Sequence, residues 1–333
     1  MNKLILPLKC ADGLVVRTIR KSSSLSVGSP LSHGMEFQKK LEQFKQKFGI
    51  YQCNDPFENW VGEMKTEHDS FMPLFMLNVE QGVDATNTEN EIPRLSLTPL
   101  FDLQKAQQGI IETKYDFSKT RPLSMDFTSR DDLASRGISK NSALYKACHV
   151  KNKKIEDTVV MDATTGIGKD SMILSQFGFK LICCERHPLI SLMLSSAIGR
   201  ARESGNLQNV LHLFTNTDSR SVDRQLLNEH SLQIPDVVYI DPMFSHVGSA
   251  LPKYDLQILR QLMSMVEFDQ PFVSSSTDDS FEQSLVVWAL ELGVKRVVLK
   301  RPRKSPNVMK DHLVHSYSDG DKGDIRYDLF MNT

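Results

Sequence analysis

The sequence predicts an α/β fold built on a mostly parallel, twisted sheet, preceded by a smaller α+β region. Three stretches carry this prediction: VVMDATTGIGKD (159–170), LICCERHPLI (181–190) and PDVVYIDPMFSH (235–246). In each of them a short apolar run ends on an acidic residue, and amphipathic segments separate the three runs. Strands that alternate with helices in this way favour parallel pairing, because each helix carries the chain back across the sheet.

The first stretch predicts a strand, a tight turn and the start of a helix. Gly166 and Gly168 follow the strand end at Asp162 and allow the backbone to approach a bound ligand closely. Lys169 and Asp170 then open an amphipathic run whose first N–H groups lack partners within the helix. A plain structural turn explains a lone G-x-G equally well, so the interpretation as a ligand site depends on the other two stretches.

The second stretch predicts a short buried strand that ends on Glu185, with Arg186 next to it. A carboxylate about 20 residues after the glycine turn lies where nucleotide-binding sheets place the acceptor for ribose hydroxyls. The alternative is a surface glutamate that caps a loop. Pro188 suits the first position of the following helix, because its missing N–H has no partner there in any case.

The third stretch predicts a buried strand over 236–241 that breaks at Pro242. The tetrad Asp241-Pro242-Met243-Phe244 is similar to the D/N-P-P-Y/F motif of amino-group methyltransferases, with Met in the third position. A carboxylate and a prolyl carbonyl can each accept a hydrogen bond from an exocyclic NH₂, while the aromatic ring stacks on the base. Such positioning aims the nitrogen lone pair at a methyl donor without a strong base. By itself, Asp-Pro after a strand is more often a turn.

The segments around these stretches complete the alternation. A helix is predicted over Pro188–Glu203, because Gly205 follows its end. The other predicted elements are a strand within 209–222, helices over 254–267 and 278–292, a strand over 295–302 and a last strand over Ile325–Met331. Trp288 is assigned to the core rather than to a base-stacking surface.

The composition gives no overall attraction to nucleic acid. The 333 residues contain 40 Lys and Arg against 41 Asp and Glu, a net charge of −1. Any nucleic-acid surface must therefore be a local basic patch. Composition alone favours an enzyme that acts on small molecules, and a hydrophobic content of 40% is that of an ordinary globular protein.

The blocks DATTGIGKD, CCERHPL, VVYIDPMF, SALPK and KRVVLKRP, which occur in this order, resemble the RsmJ family of small-subunit ribosomal RNA guanine-N2 methyltransferases. The resemblance covers roughly 94–330. It implies a Rossmann-like class I fold with an antiparallel last strand, S-adenosylmethionine (SAM) as cofactor, and methylation of the exocyclic N2 of one guanine in the 16S RNA. The expected partner is small-subunit ribosomal RNA or the small subunit itself, with no metal.

Residue by residue, the resemblance implies a catalytic group formed by Asp241, Pro242 and Phe244. It implies a cofactor site formed by Asp162, Gly166, Gly168, Lys169, Asp170, Glu185, Arg186, Thr217, Asp218 and Asp241. Asp218 departs from the small hydroxyl residue that is common in the family, although a carboxylate also accepts an adenine amino hydrogen. His246 is a candidate proton relay, with a structural hydrogen bond as the alternative.

RNA contacts are predicted at two groups of cations. Arg130, Arg136 and Lys140 lie where the family has a basic, glycine-rich loop, and ordinary surface charge is the alternative there. Lys300 and Arg301 end the strand over 295–302, on the carboxyl side of the sheet where ligands bind.

Two domains are predicted, an N-terminal α+β region over 1–123 and a methyltransferase domain over 124–333. The first begins with a basic segment and a predicted helix over 35–48, and it ends with hairpin strands within 94–117 around Gly109. Residues 51–93 hold nine acids and one lysine, and we interpret them as an insertion relative to the family. This acidity disfavours contact with phosphate there.

The cellular compartment is predicted from cysteines and apolar runs. Five cysteines without C-x-x-C spacing predict reduced thiols and no zinc site. No apolar run approaches the roughly 18 residues that a membrane span needs. The basic, serine-containing N-terminus allows a targeting peptide, but Asp12 and two strand-like runs argue against it, so a cytoplasmic protein is expected.

Three classes of function remain open at this point. The first is the ribosomal RNA methyltransferase, and the second is a methyltransferase of the same fold that acts on DNA, tRNA or a protein amide. The third is a non-catalytic module that binds an adenosine nucleotide. A dispensable Asp241 would favour the third class.

Overall fold

The computed structural model describes residues 14–22, 39, 51–53, 75–83, 92–99, 121–128, 139–242, 254–265, 279–320 and 323–332. They divide into two compact units, one formed by Met1–Asp126 with Gly248–Pro271 and the other by Phe127–Val247 with Phe272–Thr333. The predicted helix over 35–48, apart from Lys39, and the predicted turn at Gly109 lie outside the described residues. So do Arg130, Arg136, Phe244 and His246.

The first unit contains a five-stranded sheet. In chain order its strands are β1 (Leu14–Ser22), β2 (Tyr51–Cys53), β3 (Phe75–Val83), β4 (Arg94–Pro99) and β5 (Leu123–Ser124). Their order across the sheet is β2-β1-β3-β4-β5, with β1 parallel to both of its neighbours and the other two pairs antiparallel. The acidic segment over 51–93 thus supplies β3, the central strand of this sheet.

The second unit contains a seven-stranded sheet. Its strands are β6 (Val159–Asp162), β7 (Lys180–Glu185), β8 (Val210–Thr215), β9 (Val237–Ile240), β10 (Arg296–Pro302), β11 (Leu313–Ser318) and β12 (Ile325–Met331). The helices of the described residues are α1 (Ala143–Cys148), α2 (Lys169–Phe177), α3 (Pro188–Glu203), α4 (Arg224–Glu229), α5 (Tyr254–Met265) and α6 (Asp279–Glu291); α5 belongs to the first unit and the other five to the second.

The strand order in this second sheet is β11-β12-β10-β9-β6-β7-β8. Strands β10, β9, β6, β7 and β8 are parallel, and β12 is antiparallel to both β10 and β11. The predicted antiparallel last strand is therefore confirmed, whereas β11 was not predicted. After β8 the chain returns to the other side of β6, so the order reverses between β6 and β9. Open sheets of this kind bind ligands beyond the carboxyl ends of the strands at that reversal.

Continuous apolar runs form the centre of the sheet. All four residues of β6 and of β9 are buried, as expected for parallel strands that are covered on both faces. The predicted helix over Pro188–Glu203 is confirmed, and Nδ1 of His187 accepts the N–H groups of Leu189 and Ile190 at its start. Trp288 packs against the core and donates its indole N–H to the carbonyl of Val222 at 3.0 Å, which confirms its core assignment.

Arg326 on β12 fixes the loop that leaves β10. Its Nε donates to both carboxylate oxygens of Asp328, at 2.9 and 3.0 Å. Its other nitrogens donate to the carbonyls of Arg303, Ser305 and Pro306. Because the guanidinium is buried, these bonds hold the loop over 303–306 against the sheet.

No helix within the described ranges is both long enough and apolar enough to cross a membrane.

Candidate active site

A lysine between two aspartates lies at the carboxyl edge of the second sheet. Lys300 Nζ donates to Oδ2 of Asp170 at 2.7 Å and to Oδ2 of Asp241 at 2.8 Å. The hydroxyl of Tyr239 donates to the same Oδ2 atom of Asp170 at 2.5 Å. We refer to Asp170, Lys300 and Asp241 as the Asp–Lys–Asp bridge. It joins α2 to the ends of β9 and β10.

Strand register brings these side chains together. Leu299 on β10 is paired with Ile240 on β9, so the next residues, Lys300 within β10 and Asp241 directly after β9, lie side by side. The backbone N–H of Asp241 donates to Oγ1 of Thr164 at 2.7 Å, which ties the end of β9 to the turn after β6. The motif residue Asp241 therefore has a fixed backbone and one carboxylate oxygen held by a cation.

The bridge is largely removed from solvent but remains open at Asp241. The side chains of Lys300, Asp170 and Asp241 are 16%, 19% and 30% exposed. Burial acts to lower the pKa of Lys300, but the charges of Asp241 and Asp170 outweigh it and raise that pKa above its usual range. Burial acts to raise the pKa of Asp170, but the charge and hydrogen bond of Lys300 outweigh it and lower that pKa.

Asp241 differs from Asp170 in its proton affinity. Burial raises the pKa of Asp241 to about 6, with Lys300 acting in the opposite direction and the charge of Asp170 adding to the rise. Tyr239 donates a hydrogen bond to Asp170 and thereby favours the ionised form of that residue. Of the two carboxylates in the bridge, Asp241 is the one that accepts a proton more readily.

A cavity of about 560 Å³ adjoins Asp170 on the side of α1. Its lining includes Ser142, Phe177, Asp319 and Tyr327. This volume lies within the range of small-ligand sites. Asp170 thus has open space beside it as well as the bound Lys300.

The glycine turn is held by Glu185. The N–H of Gly166 donates to Oε2 of Glu185 at 2.7 Å, and the N–H of His187 donates to Oε1 at 2.7 Å. Burial raises the pKa of Glu185, although these backbone donors act to lower it. Each carboxylate oxygen can accept a second hydrogen bond. Ribose binding by Glu185 stays a prediction, but the structure adds a task that the sequence did not indicate: Glu185 shapes the turn.

Gly168 is required by packing at the start of α2. Its φ is +75°, and a Cβ atom there would lie 2.9 Å from Cδ1 of Leu194 and 3.1 Å from Cζ of Phe127. Any other residue would combine a left-handed backbone with contacts that the side chains of Leu194 and Phe127 must shift to relieve. At Gly166, with φ of +55°, the nearest atom to an added Cβ is 3.9 Å away, so conformation rather than space restricts that position.

Asp162 stabilises the turn between β6 and α2 through its buried carboxylate. Its carboxylate accepts hydrogen bonds from the hydroxyl of Ser171 and, at 3.1 Å, from the N–H of Thr164. The residue is 2% exposed, and burial raises its pKa to about 7, against the effect of these two donors. Its side chain therefore binds groups of the turn and of α2.

Most of the remaining predicted cofactor residues lie at the ends of β7 and β8. The N–H of Thr217 donates to the carbonyl of Glu185 at 3.1 Å. Asp218 accepts two hydrogen bonds from the guanidinium of Arg220, at 3.0 and 2.7 Å, and these together with its charge lower the pKa of Asp218 although burial acts to raise it. The guanidinium groups of Arg186 and Arg220 lie 5.3 and 5.1 Å from the ring centre of Phe281. Lys169 is exposed at the first position of α2.

The cations that were predicted to contact RNA differ in their exposure and in their ion pairs. Arg301 is 5% exposed and forms an ion pair with the buried Glu282, so its assignment to RNA phosphate is wrong. Adjacent side chains on a strand point to opposite faces, which separates Arg301 from Lys300. Lys300 donates to both aspartates of the bridge and is 16% exposed, which disfavours a phosphate contact by its ammonium. Lys140 is exposed.

Sequence reasoning missed two members of the site. Tyr239 was assigned only to a buried strand, although a buried tyrosine hydroxyl usually has a hydrogen-bond partner and could have been noted. Thr164 was treated only as a small residue of the turn. The partnership of Lys300 with both aspartates depends on strand register, for which the local sequence carries no signal.

Comparisons with known proteins identify the family to which the chain belongs. A family model described as a putative SAM-dependent methyltransferase matches residues 94–332. Similar proteins named ribosomal RNA small subunit methyltransferase J occur in Dechloromonas aromatica, 33% identical over 63% of this chain and 80% of the relative, and in Pseudomonas fluorescens, 28% identical over 78% and 91%. A solved SAM-dependent methyltransferase from Neisseria gonorrhoeae is 17% identical, covers 96% of both chains and has a TM-score of 0.49.

The predicted fold class is confirmed by the sheet itself, a Rossmann-like class I arrangement with its seventh strand antiparallel. The family match covers most of the chain, and the predicted motif positions within the described residues lie at the carboxyl edge of that sheet. The chain is a member of the SAM-dependent methyltransferase family that includes ribosomal RNA small subunit methyltransferase J.

Proposed function

We propose that this chain transfers a methyl group from SAM to the exocyclic N2 of a guanine in the RNA of the small ribosomal subunit. The names of its relatives support ribosomal RNA as the substrate. The observation that carries the chemistry is the placement of Asp241 at the end of β9, before Pro242, with Oδ2 held by Lys300. The proposal places the protein in the cytoplasm, with free RNA or the small subunit as partner.

The charges at this edge of the sheet suit the two cationic groups of SAM, its sulfonium and its amino group, which outnumber its single carboxylate. Asp170, Asp241 and Glu185 supply three carboxylates, and Lys300 and Arg186 offset part of this negative charge. We assign the ribose hydroxyls to Glu185. The other residues assigned to SAM line the turn and the neighbouring strand ends, namely Gly166, Gly168, Lys169, Asp170, Arg186, Thr217 and Asp218. When bound, SAM supplies an electrophilic methyl group.

Asp241 and Pro242 orient the acceptor amine. Because Lys300 holds Oδ2 of Asp241, we assign Oδ1 to one N–H of the guanine amine and the carbonyl of Pro242 to the other. Phe244, which lies outside the described residues, is assigned to stacking on the base. The methylated nitrogen then loses a proton. The carboxylate of Asp241, with a pKa of about 6, is ionised at neutral pH and can receive that proton.

Methyl transfer from labelled SAM tests the proposal. The substrates are naked small-subunit RNA, assembled small subunits, tRNA and DNA, and mass spectrometry locates the modified nucleotide. We expect N2-methylguanine at one position of the small-subunit RNA. Labelling of tRNA or DNA alone would favour a different substrate for the same fold. Binding of SAM without transfer to any of the four would favour a non-catalytic module.

A further inference from the structure

The position of Lys300 does not favour contact with RNA. Its ammonium has three N–H donors, and two of them bond to Asp170 and Asp241. Across the antiparallel pair β10–β12, Lys300 lies opposite Tyr327, whose side chain is also buried. A strand-end lysine with such surroundings is in a poor position to reach a phosphate of a large RNA.

We propose that Lys300 is a positioning residue for methyl transfer: it separates the like charges of Asp170 and Asp241, and so keeps Asp241 ionised and oriented toward the acceptor amine. This inference rests on the proposed function, because it assigns the amine to Asp241. It adds Lys300 to the site as a residue that affects methyl transfer only through Asp241.

The argument begins with the distance between the two aspartates. Their Oδ2 atoms bind the same nitrogen at 2.7 and 2.8 Å, so the two carboxylates are close neighbours in a mostly buried setting. Two such carboxylates cannot both stay ionised without a cation between them, and one of their pKa values then rises strongly. A carboxyl group that takes up a proton loses its charge and becomes a donor at that oxygen.

The surroundings decide which of the two takes the proton. Within the described residues, the charged and titratable groups near Asp241 are Asp162 at the end of β6, Asp170 on α2, Tyr239 on β9, Lys300 on β10 and Tyr327 on β12. Tyr239 donates to Asp170 and stabilises its ionised form. Without Lys300, the proton therefore goes to Asp241, the residue on which the amine depends.

The first measurement uses the full chain without SAM or RNA. Carbon-13 NMR follows the titration of the Asp241 carboxyl in the wild type and in Lys300→Met, which removes the charge. We expect the midpoint to move up by about 1–3 pH units. In the double variant Lys300→Met/Asp170→Asn the like charge is also removed, so the midpoint should return toward the wild-type value.

The second measurement is the pH profile of methyl transfer to small-subunit RNA. At neutral pH we expect kcat of Lys300→Met to fall about tenfold, because a two-unit rise in the midpoint leaves about a tenth of Asp241 ionised. The rate should recover toward pH 9, and the KM for RNA should not change. Lys300→Arg keeps the charge and should keep the acid limb near its wild-type position. Lys295→Met, at an exposed position directly before the same strand, is the matched control.

Three results would overturn the inference. One is an unchanged Asp241 midpoint in Lys300→Met, and another is a loss of kcat that is equal at every pH. The third is a raised KM for RNA with unchanged kcat, which would make Lys300 a phosphate contact. If Lys300→Met does not fold, the double variant carries the titration, and a midpoint well above the wild-type value would count against the inference. A wild type that methylates no RNA would overturn the proposed function, while the titration would still decide the role of Lys300.

Discussion

Glu185 and Asp241 end two strands of one sheet, yet their charges are compensated in different ways. Glu185 accepts hydrogen bonds from the backbone N–H groups of Gly166 and His187. Asp241 depends on a side chain, Lys300, that lies 59 residues further along the chain. Backbone donors are fixed once the turn has formed, whereas a lysine can be removed by a single substitution. The end of the site that we propose for the cofactor is therefore held by the backbone, and the end that we propose for the acceptor depends on charge balance.

The largest effect is expected at the acceptor end, for Asp241→Asn. The amide keeps the shape but loses the negative charge, so the amine is held less firmly and Asp170 remains as the only charged partner of Lys300 in the bridge. We expect kcat to fall on the order of 100-fold, as for a misplaced reacting group. Labelled methyl transfer measures this loss. Thermal unfolding should change little, because the side chain is 30% exposed. Asp311→Asn at an exposed position is the control, and a fully active Asp241→Asn enzyme would refute the role.

Gly168→Ala tests how packing and backbone conformation stabilise the turn between β6 and α2. The added methyl group meets Leu194 and Phe127, and the backbone keeps its left-handed φ. We expect a loss of about 2–3 kcal/mol in the free energy of unfolding, measured with urea. Gly205→Ala separates the two causes, since Gly205 has a φ of +75° and no atom within 4 Å of an added Cβ. It should lose about 1 kcal/mol. Equal losses for both variants would remove the steric part of the explanation.

The buried Asp162 predicts a pH dependence of stability. Its pKa in the folded protein, about 7, is higher than in an unfolded chain, so the native state binds the proton more tightly. Its contribution to stability is complete below about pH 4 and is lost as the pH rises toward 7. The slope should be on the order of 1 kcal/mol per pH unit at most. Urea unfolding between pH 4 and 7 measures it, and Asp162→Asn should show a flatter profile. An equally steep profile in that variant would assign the slope to other groups.

The smallest effect is expected at the cofactor end, for Glu185→Gln. The amide retains one acceptor oxygen, so one of the two backbone bonds can persist, and stability should fall by about 1 kcal/mol. The affinity for SAM should fall about tenfold through the loss of a charged acceptor for the ribose hydroxyls. Isothermal titration calorimetry measures this change, while kcat at saturating SAM should stay near the wild-type value. An unchanged affinity would place the ribose elsewhere.

Local sequence patterns predicted the parts of the fold that depend on neighbouring residues. The helix that begins at Pro188 and the strand before Asp241 were found at the expected positions, because a proline start and a β-branched run act over a few residues. β11 was missed, since its sequence LVHSYS is mostly exposed and lacks a regular apolar alternation.

The site was predictable in composition but not in its connections. The motifs identified Asp241 and Glu185, whereas the bond between Lys300 and Asp241 requires the register of β10 against β9. Arg301 illustrates the same limit. Two cations at the end of a strand are equivalent in sequence, and only the packing of Glu282 on α6 determines which of them is buried. Long-range pairing of charges thus lay beyond what spacing along the chain can indicate.

The position of β12 has a consequence for how this domain is made. β12 follows β11 in the chain but lies between β10 and β11, and in the described sheet β11 is bonded to β12 alone. During synthesis, β11 therefore has no strand of the described sheet to pair with until β12 has been made and inserts between β10 and β11. Arg326 belongs to β12, so its hydrogen bonds to the loop over 303–306 form only when β12 inserts. The surroundings of Lys300 are thus completed late, because Tyr327 opposite it belongs to β12, so a nascent chain should acquire the full setting of the Asp–Lys–Asp bridge only after β12 has paired with β10.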